Sequence, residues 1–211
     1  RVINGENDGF PGLVLDRYED TLVIKLYASS WFPLLAELSE LFRKEFASKQ
    51  VVLRLAQNII KSLEPNSIYQ DGFILYGKDK SSWVEFKENG LKFFADVVEG
   101  QKTGFFLDQR NNRLKIRGMA KERSVLNVFS YSGGFSVYAL AGGCRSLVEV
   151  DSNSFALETS LRNLKLNFPN KSFPASNIKQ ENGDAFQILA KMKNEKRQFD
   201  LVVLDPPAFA R

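Results

Sequence analysis

The chain has 211 residues, 44% hydrophobic, 26% charged and 12% aromatic, proportions that exclude a disordered tail, a collagen-like fibre and a small disulfide scaffold. Histidine is absent and cysteine occurs once, at Cys144, so an internal disulfide, a catalytic zinc site and a Ser-His-Asp triad are excluded within this chain. Lys and Arg outnumber Asp and Glu by 29 to 25, and the net charge of +4 suits a polyanionic partner without specifying one. Chemistry here must rest on carboxylates, backbone amides, Lys, Arg, Tyr or a borrowed cofactor.

No apolar run approaches the roughly 18–20 residues that a bilayer demands. The lone thiol suits a reducing compartment, so a cytoplasmic protein with no membrane and no metal partner is expected. The opening Arg1-Val2-Ile3-Asn4-Gly5 carries neither an initiator Met nor a signal-peptide pattern, and reads as the middle of a longer protein.

In chain order, residues 21–27 alternate as a strand. Residues 31–47 place Leu34, Leu35, Leu38, Leu41, Phe42 and Phe46 at helical spacing, with Ser30 as an N-cap. Residues 51–55 and 73–76 predict two further strands. Trp83-Val84-Glu85-Phe86 and Leu91-Lys92-Phe93-Phe94 flank Glu88-Asn89-Gly90, whose Asn-Gly pair supplies the positive φ angles of a tight hairpin turn. A small α+β domain of order strand-strand-helix-strand-strand is therefore expected over residues 1–98.

From residue 99 the rhythm changes. A helix over 108–119 precedes an apolar strand at 124–129, a Gly133-Gly134 turn and a helix to about residue 141. A strand at 146–150 ends at Asp151, and a helix spans 154–166. Gly183-Asp184 leads into a helix over 185–192, and a buried strand at 199–204 ends in Asp205-Pro206-Pro207. Short apolar strands alternating with helices predict a parallel, doubly wound sheet. The fold class is thus α/β: a Rossmann-like sheet over residues 99–211, C-terminally incomplete and expected to continue past Arg211, behind the small α+β domain.

In such sheets ligands bind at the carboxyl ends of the strands. Three of those ends carry informative residues: Ser130-Tyr131-Ser132-Gly133-Gly134, Asp151 and Asp205-Pro206-Pro207. Asp151 follows the glycines by about 20 residues, the spacing at which an acid reaches ribose hydroxyls. A dinucleotide would call for Gly-x-Gly-x-x-Gly to admit its pyrophosphate, and that spacing is absent. S-adenosylmethionine (SAM) has no phosphate and accepts a looser turn, with Asp184 placed to bond the adenine amine. Proline stiffens the residue before it, so Asp205 sits on a rigid lip where it can accept from a base, with Phe209 available to stack. Between the domains, residues 100–113 pack Gly, aromatics, amides and cations together. There Asp108 is a candidate helix cap, and Arg110 and Arg113 are candidates for facing a carboxylate or phosphate. Lys115, Arg117, Lys121 and Arg123 read as a solvated face, with phosphate contact as the alternative.

Residues 100–113, Asn127-Val128-Phe129-Ser130-Tyr131-Ser132-Gly133-Gly134-Phe135-Ser136 and Asp205-Pro206-Pro207-Ala208-Phe209 together resemble the bacterial class I SAM-dependent rRNA methyltransferases. Within these, the resemblance is to the group that methylates cytosine C5 of large-subunit (23S) rRNA. Asn7-Asp8-Gly9-Phe10-Pro11-Gly12 and Glu88-Asn89-Gly90-Leu91-Lys92-Phe93 extend it over nearly the whole chain. The resemblance implies an RNA-binding PUA domain upstream, SAM as cofactor and rRNA as partner, and it leaves the oligomeric state open, a homodimer included. It carries SAM contacts over to Phe106, Arg110, Ser130, Tyr131, Gly133, Asp151, Asp184 and Asp205, with Asp205 also orienting the base. It places the nucleophilic Cys of C5 chemistry beyond Arg211, and Cys144 then reads as structural. The alternatives are methylation at guanine N7 or an exocyclic amine, neither of which needs a thiol, and a non-catalytic RNA-binding module with a methyltransferase fold.

Overall fold

The computed structural model describes residues 1–77, 82–169 and 177–207. The chain divides into two compact units, Arg1–Lys87 with Phe94–Asp108, and Glu88–Phe93 with Gln109–Arg211.

In the first unit five strands form one sheet in sequential order: β1 (Ile3–Asn4), β2 (Leu13–Tyr18), β3 (Thr21–Leu26), β4 (Gln50–Leu55) and β5 (Ile74–Tyr76). Neighbours run antiparallel except β3 and β4, which are parallel and joined through α1 (Leu35–Glu45). Side chains alternate across a strand, so Leu13, Leu15, Leu22, Ile24, Leu26, Val51, Leu53 and Leu55 share one apolar core with Leu35 and Phe42 of α1. Asp16, Lys25 and Arg54 take the other phase and grip the segment after the hairpin. Thr103 Oγ1 donates to Asp16 Oδ2 at 2.6 Å, Lys25 Nζ to the Lys102 carbonyl at 3.0 Å, and Arg54 to the Gly100 carbonyl at 2.7 Å. Gly100 is needed there, because a Cβ would overlap the Asp96 carbonyl oxygen.

The helix expected over 31–47 is a 3-10 helix, Ser29–Leu34, followed by α1. Pro33 lacks an amide hydrogen and fits only an opening turn, so the α-helix starts two residues after it. Ser30 therefore caps nothing; the residue before the 3-10 helix is Ala28. A short helix, α2 (Gln57–Ser62), follows β4. The hairpin forms as expected, β6 (Trp83–Glu88) and β7 (Leu91–Asp96) around Asn89 and Gly90 with φ of 49° and 82°.

The second unit holds α3 (Arg110–Met119), β8 (Ser124–Val128), α4 (Gly134–Ala141), β9 (Ser146–Asp151), α5 (Ser154–Asn167), β10 (Ile178–Asn182), α6 (Ala185–Asn194) and β11 (Leu201–Leu204). Its four strands are all parallel, in the order β10-β9-β8-β11. Leu126, Val128, Val148 and Val150 pack with Ala185 and Met192 of α6 on one face. The opposite phase carries Asn127 and Glu149 toward Ser136 of α4 and Ser160 of α5. β10, Ile178-Lys179-Gln180-Glu181-Asn182, has no apolar run to announce it and is a strand because it pairs with β9. Asp108 does not cap α3, whose first turn follows Gln109; its carboxylate pairs with Lys102 Nζ at 3.1 Å instead. No helix among the described residues is long and apolar enough to cross a membrane.

Candidate cofactor site

From β8 the chain steps outward to β9 and β10, then returns to the far side of β8 as β11. Open parallel sheets bind ligands outside the carboxyl ends of their strands, near such a reversal. Ser130, Tyr131 and Gly133 follow β8, Asp151 ends β9, Asp184 follows β10 and Asp205 follows β11. Six of the eight candidate residues thus share one end of one sheet. Arg110 opens α3, where Asn89 Oδ1 accepts from its guanidinium at 3.0 Å. Phe106 belongs to the first unit, with Lys102 Nζ 4.4 Å from its ring centroid. Of the lip after β11, Ala208, Phe209 and Arg211 lie outside the described residues.

The turn after β8 is under backbone constraint. Phe129 and Tyr131 take φ of 59° and 48°, and Gly133 takes 74°. Aromatic residues rarely adopt positive φ, at about 1–3 kcal/mol each, and such outliers gather at functional sites. Two carboxylate contacts hold the shape: Asp151 Oδ2 accepts from the Tyr131 N–H at 2.8 Å and Oδ1 from the Asn153 N–H at 2.9 Å. A carboxylate offers about four lone-pair directions, so Asp151 retains acceptor capacity. The Gly183 N–H, donating to the Asp151 carbonyl at 3.1 Å, ties the end of β10 to the same point.

Among the described residues four buried side-chain polar atoms have no hydrogen-bond partner: Ser48 Oγ, Asn127 Oδ1, Ser130 Oγ and Ser132 Oγ. Three of the four lie on β8 or in the turn that follows it. Buried polar groups are nearly always paired, and an unpaired one costs about 1–3 kcal/mol.

Gly133 has a second role. A Cβ there would overlap Ser160 Oγ, so glycine lets the turn close onto α5 whatever it binds. Asp184 likewise has a structural task, its Oδ1 accepting from the Gln187 N–H at 2.9 Å to cap α6. Arg113 does not face a ligand. It is buried against Glu88, donating from Nε to Oε1 at 2.8 Å and from a terminal nitrogen to Oε2 at 2.7 Å. Cys144 is buried, and desolvation pushes its thiol up to about 11, a group poorly suited to nucleophilic attack. Among the described residues no three His, Cys, Asp or Glu side chains converge as metal ligands. Ser132 and Asn127 lie in segments that the sequence already marks, but neither is among the expected contacts, because an unpaired hydroxyl or amide is a property of packing.

The profile of the S-adenosylmethionine-dependent methyltransferase family matches residues 62–211. The chain belongs to that family. It is 46% identical over 211 residues to a ribosomal RNA large subunit methyltransferase of Deinococcus radiodurans, covering all of this chain and 50% of that protein. It is 35% identical over 210 residues to ribosomal RNA large subunit methyltransferase I of Aliivibrio fischeri, covering 100% of this chain and 51% of that one. Among solved structures, SMU.776, assigned as a methyltransferase and complexed with S-adenosylhomocysteine (SAH), superposes with a TM-score of 0.83 at 27% identity, over 100% of this chain and 52% of that one. The chain therefore spans about half the length of the curated relatives it matches. The methyltransferase family's cofactor, SAM, fits the residues at these strand ends: unpaired buried hydroxyls for its polar groups, an acid at ribose spacing and no Gly-x-Gly-x-x-Gly of the kind a pyrophosphate calls for.

Proposed function

We propose that the full-length protein transfers a methyl group from SAM to a base of 23S rRNA, with cytosine C5 as the accepting atom. The observation that carries this proposal is the pair of unpartnered buried hydroxyls, Ser130 and Ser132, in the turn tied to the Asp151 carboxylate at the carboxyl ends of β8 and β9. The names of the relatives, both large-subunit rRNA methyltransferases, supply the substrate class. When bound, SAM supplies an electrophilic methyl group on a sulfonium.

The chain's own residues bind and orient. Asp151 accepts from the ribose hydroxyls with the lone pairs that Tyr131 and Asn153 leave free, while Ser130 and Ser132 take the donor's remaining polar groups. Asp184 accepts from the adenine amine with its second oxygen. Asp205 stands exposed at the end of β11 and, stiffened by Pro206 and Pro207, orients the base. Arg110, at the start of α3 in the same unit, completes the contacts. Cys144 is not the nucleophile that C5 chemistry needs, so that thiol comes from the remainder of the protein. The net positive charge favours RNA through phosphate contacts.

Full-length protein incubated with methyl-labelled SAM and unmodified 23S rRNA should place label on a cytosine C5. Asp151→Ala should cut incorporation about 100-fold or more, the loss expected for two hydrogen bonds to a charged group. Label on a nitrogen would replace C5 with the guanine N7 or amine alternative, and no label at all would favour a binding module.

A further inference from the structure

Glu149 lies in the middle of β9 and is completely buried, in a strand otherwise apolar from Leu147 to Val150. Nothing in the proposed methyl transfer uses it. Its surroundings are built for a carboxyl group. Ser160 Oγ of α5 donates to Oε1 at 2.5 Å, and Gln180 Nε2 of β10 donates to Oε2 at 2.7 Å. Asn127 and Gln180 flank it on the adjacent strands, so the three form one polar row across the sheet. Asn127 in turn donates to Ser136 Oγ at 2.9 Å, at the first turn of α4.

The row lies directly behind the turn that follows β8. A Cβ built on Gly133 would come within 3.1 Å of Glu149 Oε1. Asn163, three residues beyond Ser160 on α5, donates to the Ser132 carbonyl at 2.8 Å. Glu149 therefore fixes Ser160, and the helix carrying Ser160 fixes both Ser132 and the clearance that Gly133 needs.

We infer that Glu149 is a positioning residue of the cofactor site, holding the turn of residues 130–133 in its SAM-binding shape through Ser160 and Ser136. The inference rests on the proposal that this turn binds SAM. Burial pushes the Glu149 carboxyl up; donation from Ser136, Ser160 and Gln180 pulls it back, and the nearby Asp151 charge adds a smaller push upward. A group so unfavourably placed persists only with its partners in register, and that makes the turn sensitive to its chemistry. Glutamine would present an amide where Gln180 already points one, so a single-atom change disturbs the row without changing its volume.

The test uses the full-length protein and SAM titrations by calorimetry, with thermal melting alongside. Glu149→Gln should weaken SAM about tenfold and raise KM for SAM by a similar factor, while KM for RNA and kcat change little. Ser160→Ala, which removes one donor and no charge, should move the same quantities in the same direction and stands in if Glu149→Gln does not fold. Met192→Ala, on the opposite face of the sheet, should lower the melting temperature and leave SAM affinity unchanged. Wild-type SAM affinity retained by the folded Glu149→Gln or Ser160→Ala protein, despite a lowered melting temperature, would reduce Glu149 to a core residue and overturn the inference alone. Failure of the wild-type protein to bind SAM would instead overturn the cofactor site on which it rests.

Discussion

Replacing Arg113 with alanine is expected to destabilise the second unit by about 3–5 kcal/mol, the cost of removing one partner from a buried ion pair. Both members are almost fully sequestered, at 2% and 4% side-chain exposure. Among the described residues Glu88 would keep only the Tyr138 hydroxyl, which donates to Oε1 at 2.9 Å, and one such bond does not compensate an isolated buried carboxylate. Burial, with Glu88 beside it, also pushes that tyrosine up to about 12, so it remains a donor throughout the physiological range. The double variant Arg113→Met with Glu88→Leu should cost less than Arg113→Ala alone, because it removes the desolvated charges together. Urea denaturation of the wild type and of both variants measures these costs. A loss under 1 kcal/mol for Arg113→Ala would show that water reaches the pair. By contrast the Lys49–Asp20 contact, at 82% and 53% exposure, should tolerate removal of either partner with little effect.

Gly133→Ala should be nearly as damaging, and it should abolish SAM binding as well. An alanine there would hold φ of 74°, at about 1–2 kcal/mol, and its Cβ would overlap Ser160 Oγ and stand 2.7 Å from Ser160 Cβ. Relief would require α5 to move away from the turn, lifting Asn163 from the Ser132 carbonyl. A total of about 3 kcal/mol or more is expected. Pairing it with Ser160→Gly removes the overlap but leaves the φ cost, so the two changes should be strongly non-additive. Additive losses in the double variant would place the damage elsewhere than the Gly133–Ser160 contact.

Much of the framework was legible from residue pattern alone. β3, β4, β8, β9 and β11 announce themselves because apolar β-branched residues repeat with strand periodicity, and the Asn89-Gly90 turn follows from its φ requirement. β10 was illegible for a physical reason: it is a half-exposed edge strand whose identity comes from pairing Gln180 opposite Glu149. The start of α1 was misjudged because apolar spacing continues through Trp31 and Phe32, while Pro33 holds that stretch in a 3-10 helix.

The chemistry divides in the same way. Glycines and acids at strand ends are visible in a sequence, so the neighbourhood of Asp151 is a candidate before the fold is known. Arg113 reads in sequence as a candidate for a ligand because its partner, Glu88, lies 25 residues away on a hairpin. The constrained φ angles of Phe129 and Tyr131 leave no compositional trace, since aromatic residues seldom mark such turns. Glu149 is not among the residues singled out from the sequence, and its purpose depends on Ser136, Ser160 and Gln180, which three separate elements deliver.

The most direct test is a crystal structure of the full-length protein grown with SAH. The ligand's ribose hydroxyls should donate to Asp151, and Ser130 Oγ and Ser132 Oγ should each gain a polar partner within hydrogen-bond distance. A ligand seated away from the carboxyl ends of β8 and β9, with those two hydroxyls still unpaired, would contradict this placement.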